Sequence, residues 1–339
     1  MKILHRYILK KFFKRFITLI GLFSIVITSS QLLHLPNFAY TMNLIDFLQL
    51  LTMIDISFLK YQILFGFFIA WLLVGISIRE NNEIYAIYSL GVSQRELLKP
   101  VFIATLLFVV LSLVISLTLI PYANQERSKF LTLKVRNYIL ESIQPKNFSK
   151  INENISVYVE NKENNTLHKI IIYNKSNKYL ITAKEGIFFQ DKVILKDGYI
   201  HIPSERSFNV IKYEKYSFSL DASYVKDIPL EDYKTSQLLS VFFSKEKDYQ
   251  KAYSVLVDRI FFPIPFIFIG FIGFLSGLKL SNSKETLLSL VISISIFYMV
   301  LNYLFIRMIE KNILVSFVYL LVLILFFGTI LRFIWKKSE

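Results

Sequence analysis

A chain of 339 residues that is 54% hydrophobic, with 32 Phe, 20 Tyr and a mean hydropathy of +0.48, is more apolar than an ordinary soluble domain, for which about 45–50% is usual. Its formal charge of +14 is spread over segments that flank long uncharged runs, where attraction to anionic lipid headgroups accounts for it without nucleic acid. The absence of cysteine excludes disulfides and thiolate metal sites from this sequence.

Six stretches lack any Asp, Glu, Lys or Arg: 16–45, 61–78, 101–125, 260–278, 286–306 and 312–331. Each meets the roughly 17–25 apolar residues that a helix needs to cross a bilayer, so the pattern predicts six spans. The first run is too long for a signal-peptide core and shows no small-residue cleavage pattern, so it is read as an uncleaved span. Lys2, Arg6, Lys10, Lys11, Lys14 and Arg15 precede it, whereas the loop after it offers only Lys60. By the positive-inside rule the N-terminus is cytoplasmic. Alternation then puts Arg79, Arg95 and Lys99 inside, followed by Lys279 and Lys284, and finally Arg332, Lys336 and Lys337. Ahead of the second span, Asp46 and Asp55 predict an interfacial helix.

The loop from Arg79 to Ser93 reads as a short helix. Asn81 or Asn82 caps it, Glu83 sits in its first turn where the helix dipole favours a carboxylate, and Gly91 ends it. Ile84, Ile87 and Tyr88 form an apolar face. Such a helix either docks into a groove on a motor protein or lies on the lipid surface, and its pattern alone is compatible with both.

Residues 121–257 form a polar insert between spans three and four. Its start, 125–144, reads as a helical extension of the third span. Beyond Pro145 the period becomes two: Ile155, Val157 and Val159 alternate with Ser156, Tyr158 and Glu160, and Tyr216, Phe218 and Leu220 with Ser217 and Ser219. Further short strands at 168–173, 179–183, 186–189, 192–195 and 199–202 are divided by the turn-like Lys184-Glu185-Gly186 and Lys196-Asp197-Gly198. Thr235-Ser236 caps a helix with the apolar stripe Leu238, Leu239, Phe242 and Phe243, and a second short helix leads from Asp248 into the fourth span at Arg259. The plan is 1–120 with three spans and a cytoplasmic helix near 80–92, an all-β domain of sandwich or jellyroll type with these flanking helices at 121–257, and three spans at 258–339.

Signals for catalysis are missing. There is no P-loop, H-E-x-x-H, G-x-S-x-G, D-x-D or H-x-x-x-x-D, and His5, His34, His168 and His201 are dispersed. No cofactor is expected. The spans hold almost no ionisable side chains of the kind that carry coupling ions, so energy for any transport must come from another subunit.

Several motifs, taken in order, resemble the LptF/LptG permeases of the lipopolysaccharide export ABC transporter. They are Arg6-Tyr7, the acidic segment closing on Gly91-Val92-Ser93, Arg95-Glu96-Leu97-Leu98-Lys99-Pro100, Gln144-Pro145-Lys146-Asn147-Phe148, and Asp258-Arg259-Ile260 with Pro263. The resemblance implies a six-span inner-membrane permease half with both termini cytoplasmic. It also implies a homologous permease partner and a dimeric cytoplasmic ABC ATPase, with lipopolysaccharide passing to periplasmic jellyroll-type bridge proteins. In that family the acidic residue matching Glu83 contacts the ATPase, which makes Glu83, Ala86, Ile87 and Gly91 the expected coupling residues. The periplasmic jellyroll receives acyl chains, and Val157, Ile171, Phe188 and Ile194 are expected to face inward and line that slot. Basic residues common at the outer end of the first span are reduced here to His34, so Arg259, Arg307 and Lys311 are the other candidates for substrate contact. The alternative is a membrane sensor or assembly scaffold that binds a periplasmic protein and moves no lipid.

Overall fold

The computed structural model describes residues 2–35, 39–40, 42–150, 155–163, 166–175, 178–189, 192–203, 208–219, 229–245 and 248–336. The chain divides into two compact units, one of Met1–Leu35, Ile45–Gln125 and Pro229–Glu339, the other of Pro36–Leu44 and Glu126–Ile228.

In the first unit, six helices among the described residues are long and apolar enough to cross a membrane. The first, α1 (Lys2–Leu32), begins inside the basic segment and stops well before residue 45. Its early end accords with Pro36, which disfavours helix at the preceding residue. A separate α2 (Leu44–Ser57) carries Asp46 and Asp55. Next come α3 (Leu59–Glu80), the short α4 (Glu83–Ser89) and α5 (Gln94–Leu97), then α6 (Lys99–Val114), which passes through a π-helical turn into α7 (Ile120–Ser142). After the second unit the chain returns through α8 (Thr235–Ser244), α9 (Tyr249–Phe261) and α10 (Phe266–Lys279), and closes with α11 (Lys284–Ile309) and α12 (Val315–Lys336).

Lipid tails supply no hydrophobic force between helices, so close packing must hold them together. That packing centres on α3. Trp71 stacks on Phe12 of α1 with ring centroids 4.4 Å apart, and Phe108 of α6 meets Phe16 edge-on at 4.7 Å. On its other side α3 touches α10 backbone to backbone. A Cβ at Gly75 would run into the Phe274 carbonyl, and one at Gly277 into the Leu72 carbonyl. Only glycine at both positions permits this crossing.

Helices α8 and α9, expected with the polar insert, cluster instead with the spans. Leu238 of α8 packs on Ala252, Val255 and Leu256 of α9, an apolar cluster of their own. At the end of α9, buried Arg259 donates to Thr235 Oγ1 at 2.9 Å, to the Glu231 carbonyl at 2.8 Å and to the Tyr233 carbonyl at 2.7 Å.

The second unit holds one six-stranded antiparallel sheet in sequential order: β1 (Phe148–Lys150), β2 (Ile155–Glu163), β3 (Thr166–Asn174), β4 (Tyr179–Phe189), β5 (Lys192–Pro203) and β6 (Phe208–Ser219). The inserted all-β domain is therefore present, with the expected strands 179–183 and 186–189 fused into β4 and 192–195 and 199–202 fused into β5. Lys184-Glu185-Gly186 and Lys196-Asp197-Gly198 are interior to β4 and β5, not turns.

The register explains the difference. Pairing passes from Val159↔Ile170 to Asn161↔His168, from Ile170↔Ala183 to His168↔Glu185, from Ala183↔Gly198 to Glu185↔Lys196 and from Gly198↔Tyr213 to Lys196↔Lys215. Each step passes over one position per strand, so Glu160, Lys169, Lys184, Asp197 and Glu214 form a row across the sheet. Positive φ at Lys169 (50°) and Asp197 (49°) marks the row as an irregularity of the bulge type, which shifts the in-out alternation by one residue. Leu167 and Ile170 thus share the buried face despite their spacing. Glycine at 198 serves a crossing here: Tyr213 reaches over it to donate to the Thr182 carbonyl at 2.7 Å, where a Cβ would collide with both groups. Burial and neighbouring Tyr216 push the Tyr213 hydroxyl up to about 12, so it remains a donor at any physiological pH.

Replacing Gly277 with Val should lower the unfolding temperature of the detergent-solubilised protein, because overpacking of this kind costs about 1–3 kcal/mol. Gly21→Ala is the control, since no atom lies within 4 Å of a Cβ there and the helix gains propensity. Equal midpoints for the two variants would remove the α3–α10 contact from its central place.

Candidate functional site

Helix α4 is held between α3 and α5 by two local devices. Gly91 adopts φ +75° after its end, and Ser93 caps α5 by accepting from the Glu96 amide. The N-cap differs from expectation. Asn82 occupies that position in the left-handed region (φ 57°) and makes no side-chain cap bond, while the Asn81 side chain donates to Glu83 Oε1 at 3.1 Å.

Glu83 is bound within the chain. Lys11 Nζ lies 2.6 and 2.8 Å from its two oxygens, and the Tyr7 hydroxyl donates to Oε2 at 3.1 Å. Partial burial pushes the Glu83 carboxyl up, but the hydrogen bonds from Lys11 and Asn81, the charge of Lys11 and the Tyr7 bond outweigh it and hold the pKa below the usual carboxylate range. A lowered folded value means the contact is complete at neutral pH and is lost only as the pH falls through that value. The carboxylate thereby ties α4 to the first turns of α1.

The remaining faces of α4 divide cleanly. Ile87 is buried and Ile84 packs on the helical core, whereas Tyr85 (72% exposed), Ala86, Tyr88 (43%) and Leu90 (81%) face outward around the exposed Gly91. Of the four expected coupling residues, Ala86 and Gly91 are accessible, Ile87 is not, and Glu83 acts through α1. Tyr85 and Leu90 were missed by the sequence reading, although their large apolar side chains in a cytoplasmic loop were the available signal.

At the opposite end of α3 an ionic network joins four helices. Lys60 Nζ lies 2.7 Å from Asp258 Oδ2, Asn302 donates to Asp258 Oδ1 at 2.8 Å, and Tyr319 donates to the Asn302 side-chain carbonyl. Lys60 also sits over the rings of Tyr61 and Phe262, at 5.0 and 4.8 Å from their centroids. Periodicity shows only a lone Lys and an acid at the start of a span; their meeting is purely tertiary.

The network forms one wall of a cleft of about 470 Å³ that also takes in Arg259, Arg307, Lys251, Glu231 and Glu310. Two of the expected substrate contacts therefore share one site. Arg307 is exposed and stacks over Tyr303 at 5.2 Å, free to meet a ligand. Arg259 differs from expectation, since its guanidinium is committed to the three bonds that hold the α8–α9 connection. His34 lies outside this lining, bonded through Nδ1 to the Ser30 carbonyl at 3.0 Å, and Lys311 follows α11 as an exposed side chain, also outside it.

In the β unit, Val157 lies on the buried face with Ile172 and Ile181. Ile171 and Ile194 are a correction to the expected slot. Ile171 pairs with Tyr158 and Thr182, and Ile194 with Ile187 and Ser217, which places both on the face opposite the core. The Phe188 side chain lies outside the described residues. Among the described residues no three His, Asp or Glu side chains gather as a metal site.

A family model described as the lipopolysaccharide export system permease LptF/LptG matches residues 6–336. The chain is also similar to an uncharacterized protein, RP871, of Rickettsia prowazekii (strain Madrid E), 26% identical over 174 residues, or 50% of this chain and 48% of that protein. The chain thus spans about half the length of the curated relative it matches.

Removing one partner of a buried ion pair strands the other, at about 3–5 kcal/mol, whereas replacing both with apolar groups is often neutral. Asp258→Ala should accordingly lower the unfolding midpoint sharply, and Lys60→Met with Asp258→Met should recover most of it. A double variant as unstable as the single one would show that the pair is not what holds these helix ends.

Proposed function

Because the chain belongs to the LptF/LptG family of lipopolysaccharide export permeases, we propose that it is one permease half that extracts lipopolysaccharide or lipooligosaccharide from the inner membrane for a periplasmic bridge. In this reading both termini are cytoplasmic, the β unit is periplasmic, and a homologous permease half completes the pathway. A dimeric cytoplasmic ABC ATPase drives it.

The observation that carries the reading is the build of α4. A seven-residue helix and its C-cap residue present Tyr85, Tyr88 and Leu90 outward while Glu83 is locked to α1. Aromatic and aliphatic side chains exposed together suit the closely packed centre of a protein interface. A motor that grips this patch moves α4, and the Lys11–Glu83 pair passes that displacement to α1 directly. Glu83 is in this account a positioning residue between motor and span, with Ala86 and Gly91 at the contact.

The cleft at the other end of α3 suits the polar part of the substrate. Arg307 offers a cation to lipid phosphates at a membrane interface, Lys251 is paired with Glu231 at 3.2 Å, and the Lys60–Asp258 pair behind them keeps the helix ends together. In the β unit, the buried face carrying Val157 suits the acyl chains. Related jellyroll domains would extend the sheet by strand addition at an edge.

Co-expression of the chain with its partner permease and the ATPase, followed by affinity capture in detergent, tests the coupling role. Leu90→Asp should reduce recovered ATPase by roughly tenfold or more, about 1.4 kcal/mol of binding, with the unfolding midpoint unchanged. Glu83→Ala should retain the ATPase but lower export. Full export by Glu83→Lys would remove the coupling role from Glu83, and an ATPase absent from every preparation would favour the non-transporting scaffold instead.

A further inference from the structure

Helices α11 and α12 leave between them an apolar groove of about 960 Å³, lined among others by Leu290, Ser293, Ile294 and Phe297 on one side and by Phe326 and Ile330 on the other. We propose that this groove binds one acyl chain of an anionic phospholipid whose headgroup is held by the basic residues at its mouth. The inference is independent of what the permease transports.

Length argues for a lipid chain. From Thr286 to Phe297 the groove follows about 16 Å of helix at 1.5 Å per residue, roughly half of a ~30 Å hydrocarbon core. That is the depth of one leaflet. A membrane-crossing helix from another chain would call for a seat along the whole of α11, whereas an acyl chain fills this one. Serines at 289 and 293 have short side chains, which leaves room between the larger residues.

Charge argues for the headgroup. Lys284 is exposed in the first turn of α11, and Arg332 and Lys336 are exposed at the end of α12. Lys279, in the last turn of α10, lies over the Trp335 ring at 5.1 Å. Against the cations Lys279, Lys284, Arg332 and Lys336 stands Glu285 beside Lys284, so among the described residues of these helix ends cations outnumber carboxylates. Trp335, 37% exposed, stands at the level expected of an interfacial aromatic. The groove also lies at the opposite end of α11 from Asn302 and the Lys60–Asp258 pair, which separates it from the cleft described above.

The two tryptophans provide the assay. Trp71 is fully buried and contributes a constant background, whereas Trp335 is positioned to report contact with lipid. The full-length chain would be reconstituted in phosphatidylethanolamine vesicles containing brominated-chain phosphatidylglycerol or, at the same mole fraction, brominated-chain phosphatidylcholine. The phosphatidylglycerol should quench Trp335 more strongly by roughly twofold or more. Lys284→Gln with Arg332→Gln, both exposed positions, should abolish that preference, and Ser293→Phe should reduce quenching by filling the groove. Equal quenching by the two lipids, or a preference that survives the double variant, would overturn the proposal. Quenching that vanishes as the protein-to-lipid ratio rises would also overturn it, by placing a second permease chain in the groove.

Discussion

The bare backbone contact between α3 and α10 is the constraint on which the helical unit depends. In lipid, helices associate through packing and polar contacts, since their apolar faces gain nothing by leaving the tails. Gly75 and Gly277 let two helix backbones touch, and around that contact α1 and α6 close through Phe12, Trp71, Phe16 and Phe108. With its sides covered in this way, α3 serves as a fixed rod. Its ends then carry the polar features of the unit: Lys60 with Asp258 at one, and the α4 segment with Glu83 at the other.

Both polar features tie distant parts of the chain to that rod. Lys60 pairs with an aspartate 198 residues away, and Glu83 with a lysine 72 residues away. Loss of either partner would leave the other charge without its counter-ion, so each pair links elements that are far apart in the sequence. In the transport reading this gives the rod a mechanical meaning. In that reading the motor would act at the Glu83 end and the substrate would enter beside the Lys60 end.

How much of this was legible in the sequence follows from how local each signal is. The spans were readable because a run without charge is a property of consecutive residues, and α4 because Gly91 and Ser93 mark its limits within a few positions. The start of α1 was not readable from charge, since a helix can begin inside a basic segment. Glycine after a charged residue looks the same in a hairpin turn and in a bulged strand, so Gly186 and Gly198 were read as turn residues. Only the pairing of β3 through β6 distinguishes the two cases. The same row of bulges moved Ile171 and Ile194 to the outer face. The Lys11–Glu83 and Lys60–Asp258 contacts leave no periodic trace, and Arg259 looked available for substrate because its three backbone and hydroxyl acceptors lie in a connection with no motif.

The most direct test is transfer itself. Lipopolysaccharide would be loaded into proteoliposomes that contain the chain, its partner permease and the ATPase, and its arrival on a separate bridge protein followed by photo-crosslinking. Appearance of crosslinked lipid that requires ATP, and that fails when Leu90 carries an Asp, is the outcome expected of a motor-driven permease. Transfer at the same rate without nucleotide, or none with every component present, would contradict it.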